Sequence, residues 1–275
     1  MQHKFPFAQV DVFSAVPYKG NPLAVVHGAD ALTDAQMAAF ANWTNLSETA
    51  FLLQPTDSTA DYRVRIFTPA DELPFAGHPT LGACHAWLAA GGTPKGTDIV
   101  QECEIGLIRV RHKNGRLAFA APPATPEEID EATRAQVAAS LRVDPAAILA
   151  TQRLAKNPGW IAALFASREE VLALQPDFAA MGDLKVGAVA PAQGEADFEV
   201  RGFAPHLGVG EDPVTGSLNA GLARWLIGTG RAPARYTAAQ GTAIGRAGRI
   251  YLEQEGADIW VGGDCVTCIT GDVVI

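Results

Sequence analysis

Basic residues are scarce in this chain. Its 21 lysines and arginines are scattered against 30 acidic residues, and no basic tract offsets the formal net charge of −9. That balance argues against nucleic acid or an anionic membrane surface as a partner. An anionic ligand would have to be held by local donors such as helix ends. Cysteine is equally sparse: Cys84, Cys103, Cys265 and Cys268 do not make a disulfide scaffold in 275 residues. No apolar run comes near a membrane span, and Met1 to Val10 lacks the apolar core of a secretion signal, so the expected location is the cytoplasm. No Gly-x-Gly-x-x-Gly follows a strand and no phosphate-cradling Gly-Lys-Ser/Thr loop occurs, which leaves a nucleotide cofactor without support. Cys265-x-x-Cys268 is half of a metal or redox motif, but it has no second pair and lies in a segment that reads as strand. The expectation is therefore no cofactor and no metal.

What the chain does have is a repeat. Asp61-Tyr62-Arg63-Val64-Arg65-Ile66-Phe67-Thr68-Pro69 matches Asp197-Phe198-Glu199-Val200-Arg201-Gly202-Phe203-Ala204-Pro205 with five identities in nine, at an offset of 136. An offset of 134 then relates His78-Pro79-Thr80-Leu81-Gly82 to Asp212-Pro213-Val214-Thr215-Gly216, and Thr33-x-x-Gln36 to Ser167-x-x-Glu170. A duplication of this length predicts two similar domains that contribute the same substructure to one shared site. The 48% hydrophobic content is ample for two cores.

Within the first copy, strands are expected at Val10 to Phe13, Leu23 to Val26, Glu48 to Leu53 and Tyr62 to Phe67. Thr33-Asp34-Ala35-Gln36 is a capping box for a helix reaching about Trp43. Pro79 to Ala90 reads as a helix opened by proline and apolar or small nearly all round, hence buried. Lys113-Asn114-Gly115-Arg116 signals a hairpin, and Ala121 to Pro126 is the best linker. Beyond one or two helices before Leu149, the second copy repeats the order. It has strands near Ile161 to Phe165, Val186 to Val189 and 197–203, a capped helix from Ser167, and a buried helix Pro213 to Ile227. Ala247-Gly248-Arg249 is placed opposite the first hairpin turn. The fold class is α+β, with two pseudo-symmetric domains, 1–122 and 123–275, each a mostly antiparallel or mixed sheet around a central buried helix. The last strands are free to cross back to the first domain.

Asp212 and His78 each stand immediately before a proline expected to open a buried helix. Taken alone, Asp212 reads first as an N-cap, a role for which His78 is a poorer residue. If the duplication faces two helix starts toward one hollow, their N–H groups offer a place for a carboxylate. Gly77, Gly82 and Gly216 would keep the turns slim, and Thr215 and Ser217 would add hydroxyl donors. Glu48, next to Ser47, alternates with Ala50 and Leu52 on an apolar strand face. It is either a solvated strand-end charge or a carboxyl aimed into a cleft, where desolvation raises its pKa into the range of proton transfer. The 134 offset lands on Gly182, so no second glutamate is expected. Arg65 and Arg201 read as partners of structural carboxylates, Asp71 and Glu72 as solvated loop charges, and His85 as a satisfied core residue.

Three separated segments carry a resemblance to a known family: Gly20-Asn21-Pro22-Leu23-Ala24-Val25 with Asn45 to Phe51, Phe67-Thr68-Pro69 with Glu72 to Thr80, and Glu211 to Ser217. They are similar to the PhzF-like isomerases of phenazine biosynthesis and, more distantly, to diaminopimelate epimerases. The resemblance spans residues 10–225 and implies a cleft site with Glu48 as general acid/base, His78 and Asp212 in support, and Ser217 contacting substrate. It also implies a homodimer. Epimerases of this fold place a cysteine in each helix-start loop, where this chain has Gly77-His78 and Glu211-Asp212, so the resemblance favours carboxylate chemistry over two-thiol racemisation. The expected function is a cofactor-independent isomerase that shifts a proton between carbons of a small carboxylate-bearing substrate. The alternatives are an epimerase or racemase using Glu48 and Asp212, and a non-catalytic small-acid binding protein.

Overall fold

A computed structural model describes residues 3–156 and 159–275. The chain divides into two compact units, Met1–Ala120 together with Gly262–Ile275, and Ala121–Val261. The first unit builds β1 (Lys4–Val12), β2 (Asn21–Val26), α1 (Asp34–Thr44), β3 (Thr49–Leu53), β4 (Tyr62–Phe67), β5 (Glu72–Leu73), α2 (Gly77–Ala89), β6 (Ile99–Cys103), β7 (Gly106–Lys113) and β8 (Arg116–Ala120). The second unit builds α3 (Glu131–Leu141), β9 (Ala150–Arg153), β10 (Trp160–Leu164), α4 (Arg168–Ala173), α5 (Phe178–Met181), β11 (Lys185–Pro191), β12 (Phe198–Ala204), β13 (Val209–Asp212), α6 (Gly216–Gly228), β14 (Arg235–Gln240), β15 (Gly248–Glu255) and most of β16 (Asp258–Gly263). The last strand, β17 (Cys265–Val274), returns to the first unit and pairs antiparallel with β1.

Strand pairing repeats between the units. In the first, β1 is antiparallel to β2, β2 parallel to β3, and β3 antiparallel to β4; β4 then takes β5 antiparallel at one end and β6 parallel at the other. In the second, β9, β10, β11 and β12 follow the same sequence of directions, and β12 takes β13 and β14 in the same way. Each sheet has two apolar faces. On one face of the first sheet lies α1, closing a cluster with Phe5, Val26, Met37, Phe51 and Phe67. On the other lies α2, which packs against β1, β2, β3, β8 and β17. Gly82 allows that approach: a Cβ there would stand 2.5 Å from Leu23 Cδ2 and 2.9 Å from Val12 Cγ2. Gly221 plays the same part on α6, where an added Cβ would come within 2.6 Å of Leu154 Cβ.

Local signals account for most boundaries. Thr33 and Gln36 form the capping box, and Asn45 closes α1 in the left-handed conformation (φ 56°). Ser167 caps α4 by accepting from Glu170 N. Asn114 and Gly115, both at positive φ, make the hairpin turn between β7 and β8. Three expectations need correction. First, α2 starts at Gly77, so Pro79 is its third residue, a position whose N–H has no intrahelical partner and where proline does no harm. Second, α6 starts at Gly216, because Asp212 is claimed by strand pairing with Gly202 and Pro213 lies in the loop beyond it. Third, Gly248 opens β15 rather than forming a turn, and the link to β16 falls at Gly256 (φ 61°).

The close approach at Gly82 is open to a direct test. Gly82→Val would force two methyl groups into the contact of α2 with Leu23 and Val12, a cost of about 1–3 kcal/mol. The melting temperature should fall by several degrees, whereas Gly91→Val, at an open position, should show strain from its φ of 92° but no clash.

Candidate active site

Glu48 immediately precedes β3, and strand alternation turns it to the α2 face with Ala50 and Leu52, both buried. His78 is the second residue of α2, so the helix start delivers its ring to the same place. His78 Nε2 and Glu48 Oε2 are 3.6 Å apart, with the imidazole 5% exposed and the carboxyl side chain 18% exposed. Loss of water is the dominant influence on Glu48 and pushes its carboxyl up to about 7, against an opposing pull from the Ser47 hydroxyl. No donor of the described residues comes within hydrogen-bond distance of Glu48 Oε2. Of the two readings open from sequence, the structure shows a desolvated carboxyl and not a solvated strand-end charge.

The second unit places Asp212, Thr215, Gly216 and Ser217 around the start of α6. Asp212 is not an N-cap. It ends β13, and the N-cap is Thr215, whose side chain makes no capping bond. Thr215 Oγ1 donates to Asp212 Oδ2 at 2.7 Å, so the hydroxyl expected to serve a ligand is committed to the carboxylate. Ser217 Oγ accepts from Trp160 Nε1 at 3.0 Å, which leaves the serine hydrogen available to donate elsewhere.

The two arginines of the repeat are structural. Arg65 Nε and Nη2 donate to the two oxygens of Glu72 at 2.7 and 2.6 Å, and Nη1 reaches Asp34 at 2.6 Å. Arg201 grips Glu211 in the same fashion at 3.0 and 2.7 Å and also donates to the carbonyls of Val171 and Leu174. Glu72 is therefore a strand residue paired with Arg65 rather than a solvated loop charge. His85, half-buried rather than in the core, has Nε2 2.9 Å from Thr267 Oγ1. Cys265 and Cys268 are free thiols, and the described residues contain no cluster of three or more potential metal ligands.

Strand register revises the alignment of the two copies. Thr49 pairs with Phe67 and Val186 with Phe203, so the position of Glu48 in the second unit is held by Lys185. Gly182, expected there, closes α5 instead. Beyond the Phe67/Phe203 match, the second copy is longer by the turn Pro205–Leu207. The offset then becomes 139, and Glu72-Leu73-Pro74-Phe75-Ala76-Gly77 falls on Glu211-Asp212-Pro213-Val214-Thr215-Gly216. His78 thus corresponds to Ser217, and Asp212 to Leu73. The shared Glu-x-Pro-x-x-Gly was the signal that could have found this register. Lys185, half-buried on the α6 face, and Gln240, fully buried on β14, are the polar residues that sequence reasoning missed.

Two α+β units with one pairing scheme, each built on a buried central helix, are the diaminopimelate epimerase-like architecture. The chain belongs to the phenazine biosynthesis-like (PhzF) family, whose pattern it matches over residues 10–271. It is 34% identical to antisense-enhancing sequence 1 of Schizosaccharomyces pombe, over 96% of this chain and 97% of that protein. It is 32% identical to trans-2,3-dihydro-3-hydroxyanthranilate isomerase of Pseudomonas aeruginosa, over 91% of each. A crystal structure of a PhzF-family protein from Enterococcus faecalis superposes with a TM-score of 0.83 at 27% identity, covering 98% of this chain and 99% of that one. The family is one of isomerases.

The Glu48 environment has a measurable thermodynamic consequence. With its folded pKa near 7 and its unfolded value near 4.5, the folded state holds a proton that the unfolded state releases between those values. Its contribution to stability is complete below pH 4.5 and is lost as pH rises to 7, a loss of about 3 kcal/mol at alkaline pH. Glu48→Gln should therefore raise the denaturation midpoint at pH 8 and leave it unchanged at pH 4. Equal effects at both pH values would show that the carboxyl is not desolvated.

Proposed function

We propose that this isomerase moves a proton between two carbons of a small carboxylate-bearing substrate, with Glu48 as the proton carrier. The reading rests on one observation: a carboxyl poised near neutrality by burial, 3.6 Å from a buried imidazole. The Glu48 carboxylate takes a proton from an acidic C–H bond, and the electron pair left behind spreads into the adjoining double bond. The resulting carboxylic acid then returns the same proton to the far end of that system, so atoms and electrons balance without a cofactor. A group with pKa near 7 is suited to both halves of this cycle. His78 supports the carboxylate, and Asp212 stabilises the delocalised intermediate, a role carried by the family resemblance. Ser47, Gly77, Gly216 and Ser217 are the proposed substrate contacts.

The relative from Pseudomonas aeruginosa is named for trans-2,3-dihydro-3-hydroxyanthranilate, which makes that compound the first to try. Homodimerisation, which rests on the resemblance, and a cytoplasmic location, which rests on the sequence reading, are also part of the proposal. No helix among the described residues is long and apolar enough to cross a membrane.

The decisive experiment follows deuterium uptake from solvent into a panel of small carboxylic acids by NMR. Isomerisation moves a double bond as it labels, whereas epimerisation labels one carbon and keeps the connectivity. Glu48→Gln should lower turnover by about 10²–10⁴-fold with little change in affinity, and the wild-type rate should climb with pH through about 7 as Glu48 ionises. Parallel loss of binding and turnover in Glu48→Gln would refute the role of Glu48 as proton carrier.

A further inference from the structure

Where the first unit carries Glu48, the second carries a group of opposite charge, Lys185. Gly187 on the same strand faces α6, since a Cβ there would stand 2.4 Å from Leu218 Cδ1. Lys185, two residues earlier, therefore faces α6 as well. Trp160, its partner in register on β10, lies on that face too, because its Nε1 donates to Ser217 Oγ at 3.0 Å. Ser217 is the second residue of α6, as His78 is of α2. Lys185 and Ser217 thus stand at the positions of Glu48 and His78, with a cation in place of the acid and a hydroxyl in place of the imidazole.

Lys185 is half-buried, and loss of water pushes its ammonium below the usual lysine value. Arg168, Arg201 and Arg249 of the same unit each rest on a carboxylate. Among the described residues no carboxylate does this for Lys185. His206, in the turn after β12, is held below its ordinary value by burial and then by the Lys185 charge, with Asp183 opposing. A partly desolvated cation without an anion is costly, and a bound anion would offset that cost. Ser217 supplies a second donor. An indole N–H can only donate, so Trp160 occupies a lone pair of Ser217 Oγ and leaves the hydroxyl hydrogen to be given to another acceptor. No such acceptor is found among the described residues.

We infer that Lys185 and Ser217 form a subsite for a carboxylate, one oxygen resting on the ammonium and the other on the hydroxyl. Two donors match the two oxygens of a planar carboxylate and fall short of what the oxygens of a phosphate require. The carboxylate is that of the substrate, a point that rests on the function proposed above, and Lys185 is then the residue that selects acids over their amides.

Calorimetric titration with benzoate, and with benzamide as its neutral counterpart, tests the subsite without turnover. Lys185→Met keeps the apolar stem and removes the charge, whereas Lys185→Arg keeps the charge. Loss of one charged contact corresponds to about a tenfold change in affinity. Lys185→Met should weaken benzoate by about that factor and leave benzamide unchanged, and Lys185→Arg should recover most of the loss. With trans-2,3-dihydro-3-hydroxyanthranilate, Lys185→Met should raise KM by a similar factor with kcat little altered. A lower melting temperature with benzoate affinity intact would show a lysine that serves folding alone and would overturn the inference. Equal wild-type affinity for benzoate and benzamide would overturn it too, as would displacement of benzoate by equimolar inorganic phosphate. An inactive Glu48→Gln beside any of these results would leave the proposed function standing. Full activity in Glu48→Gln would remove the proposed function instead, and selective loss of benzoate in Lys185→Met would still support the carboxylate subsite.

Discussion

Each unit depends on a central helix buried against its sheet at a glycine. Leu81 of α2 and Leu218, Leu222 and Leu226 of α6 supply buried apolar side chains. Leu23 and Val12 fill the space beside Gly82, and Leu154 fills that beside Gly221. At those glycines the backbone itself comes into contact with the neighbouring side chains. This contact has a chemical corollary, because a helix seated this deeply brings its first residues to the sheet edge with little freedom of movement. His78 and Glu48 meet there because one is fixed by the helix start and the other by strand alternation.

Duplication gives the two units the same scaffold and leaves the polar residues free to diverge. Where one copy has Glu48 and His78, the other has Lys185 and Ser217. Where one has Leu73 and Ala76, the other has Asp212 and Thr215. The conserved pairs Arg65–Glu72 and Arg201–Glu211 lie outside this exchange and serve the scaffold, clamping the short strand that leads into each helix. In the second unit that clamp is nearly dry, with side chains 7% and 9% exposed. Such a pair is costly to break because the surviving charge would be left buried.

Much of this was legible in the sequence. The capping box at Thr33, the Asn114-Gly115 turn, the buried character of both central helices and the α+β class all follow from local chemistry acting over a few residues. Glu48, His78 and Asp212 were singled out through the resemblance and through apolar alternation around Glu48, and the structure brings the first two within 3.6 Å of each other. The register of the repeat was not found. His78-Pro79 and Asp212-Pro213 look alike in one dimension, but strand pairing takes Asp212 out of the helix start, and a three-residue lengthening of the preceding loop shifts everything after it. Gln240 was invisible for another reason. A lone glutamine on an alternating strand has no local signature, and its importance comes entirely from partners 21 to 28 positions away.

The pairing of β1 with β17 joins segments from opposite ends of the chain, whereas the pairings among β9 to β15 all lie within residues 150–255. Loop closure over so long a span is entropically slow, and contacts local in sequence form sooner. The second unit is therefore competent to collapse while the first still lacks its outermost strand. During synthesis on the ribosome, the half bearing Glu48 must wait with the backbone of β1 unpaired on that side until residues 262–275 emerge. That interval is when an unfinished chain is most exposed to strand exchange with a neighbouring copy, and when a chaperone would have most to cover.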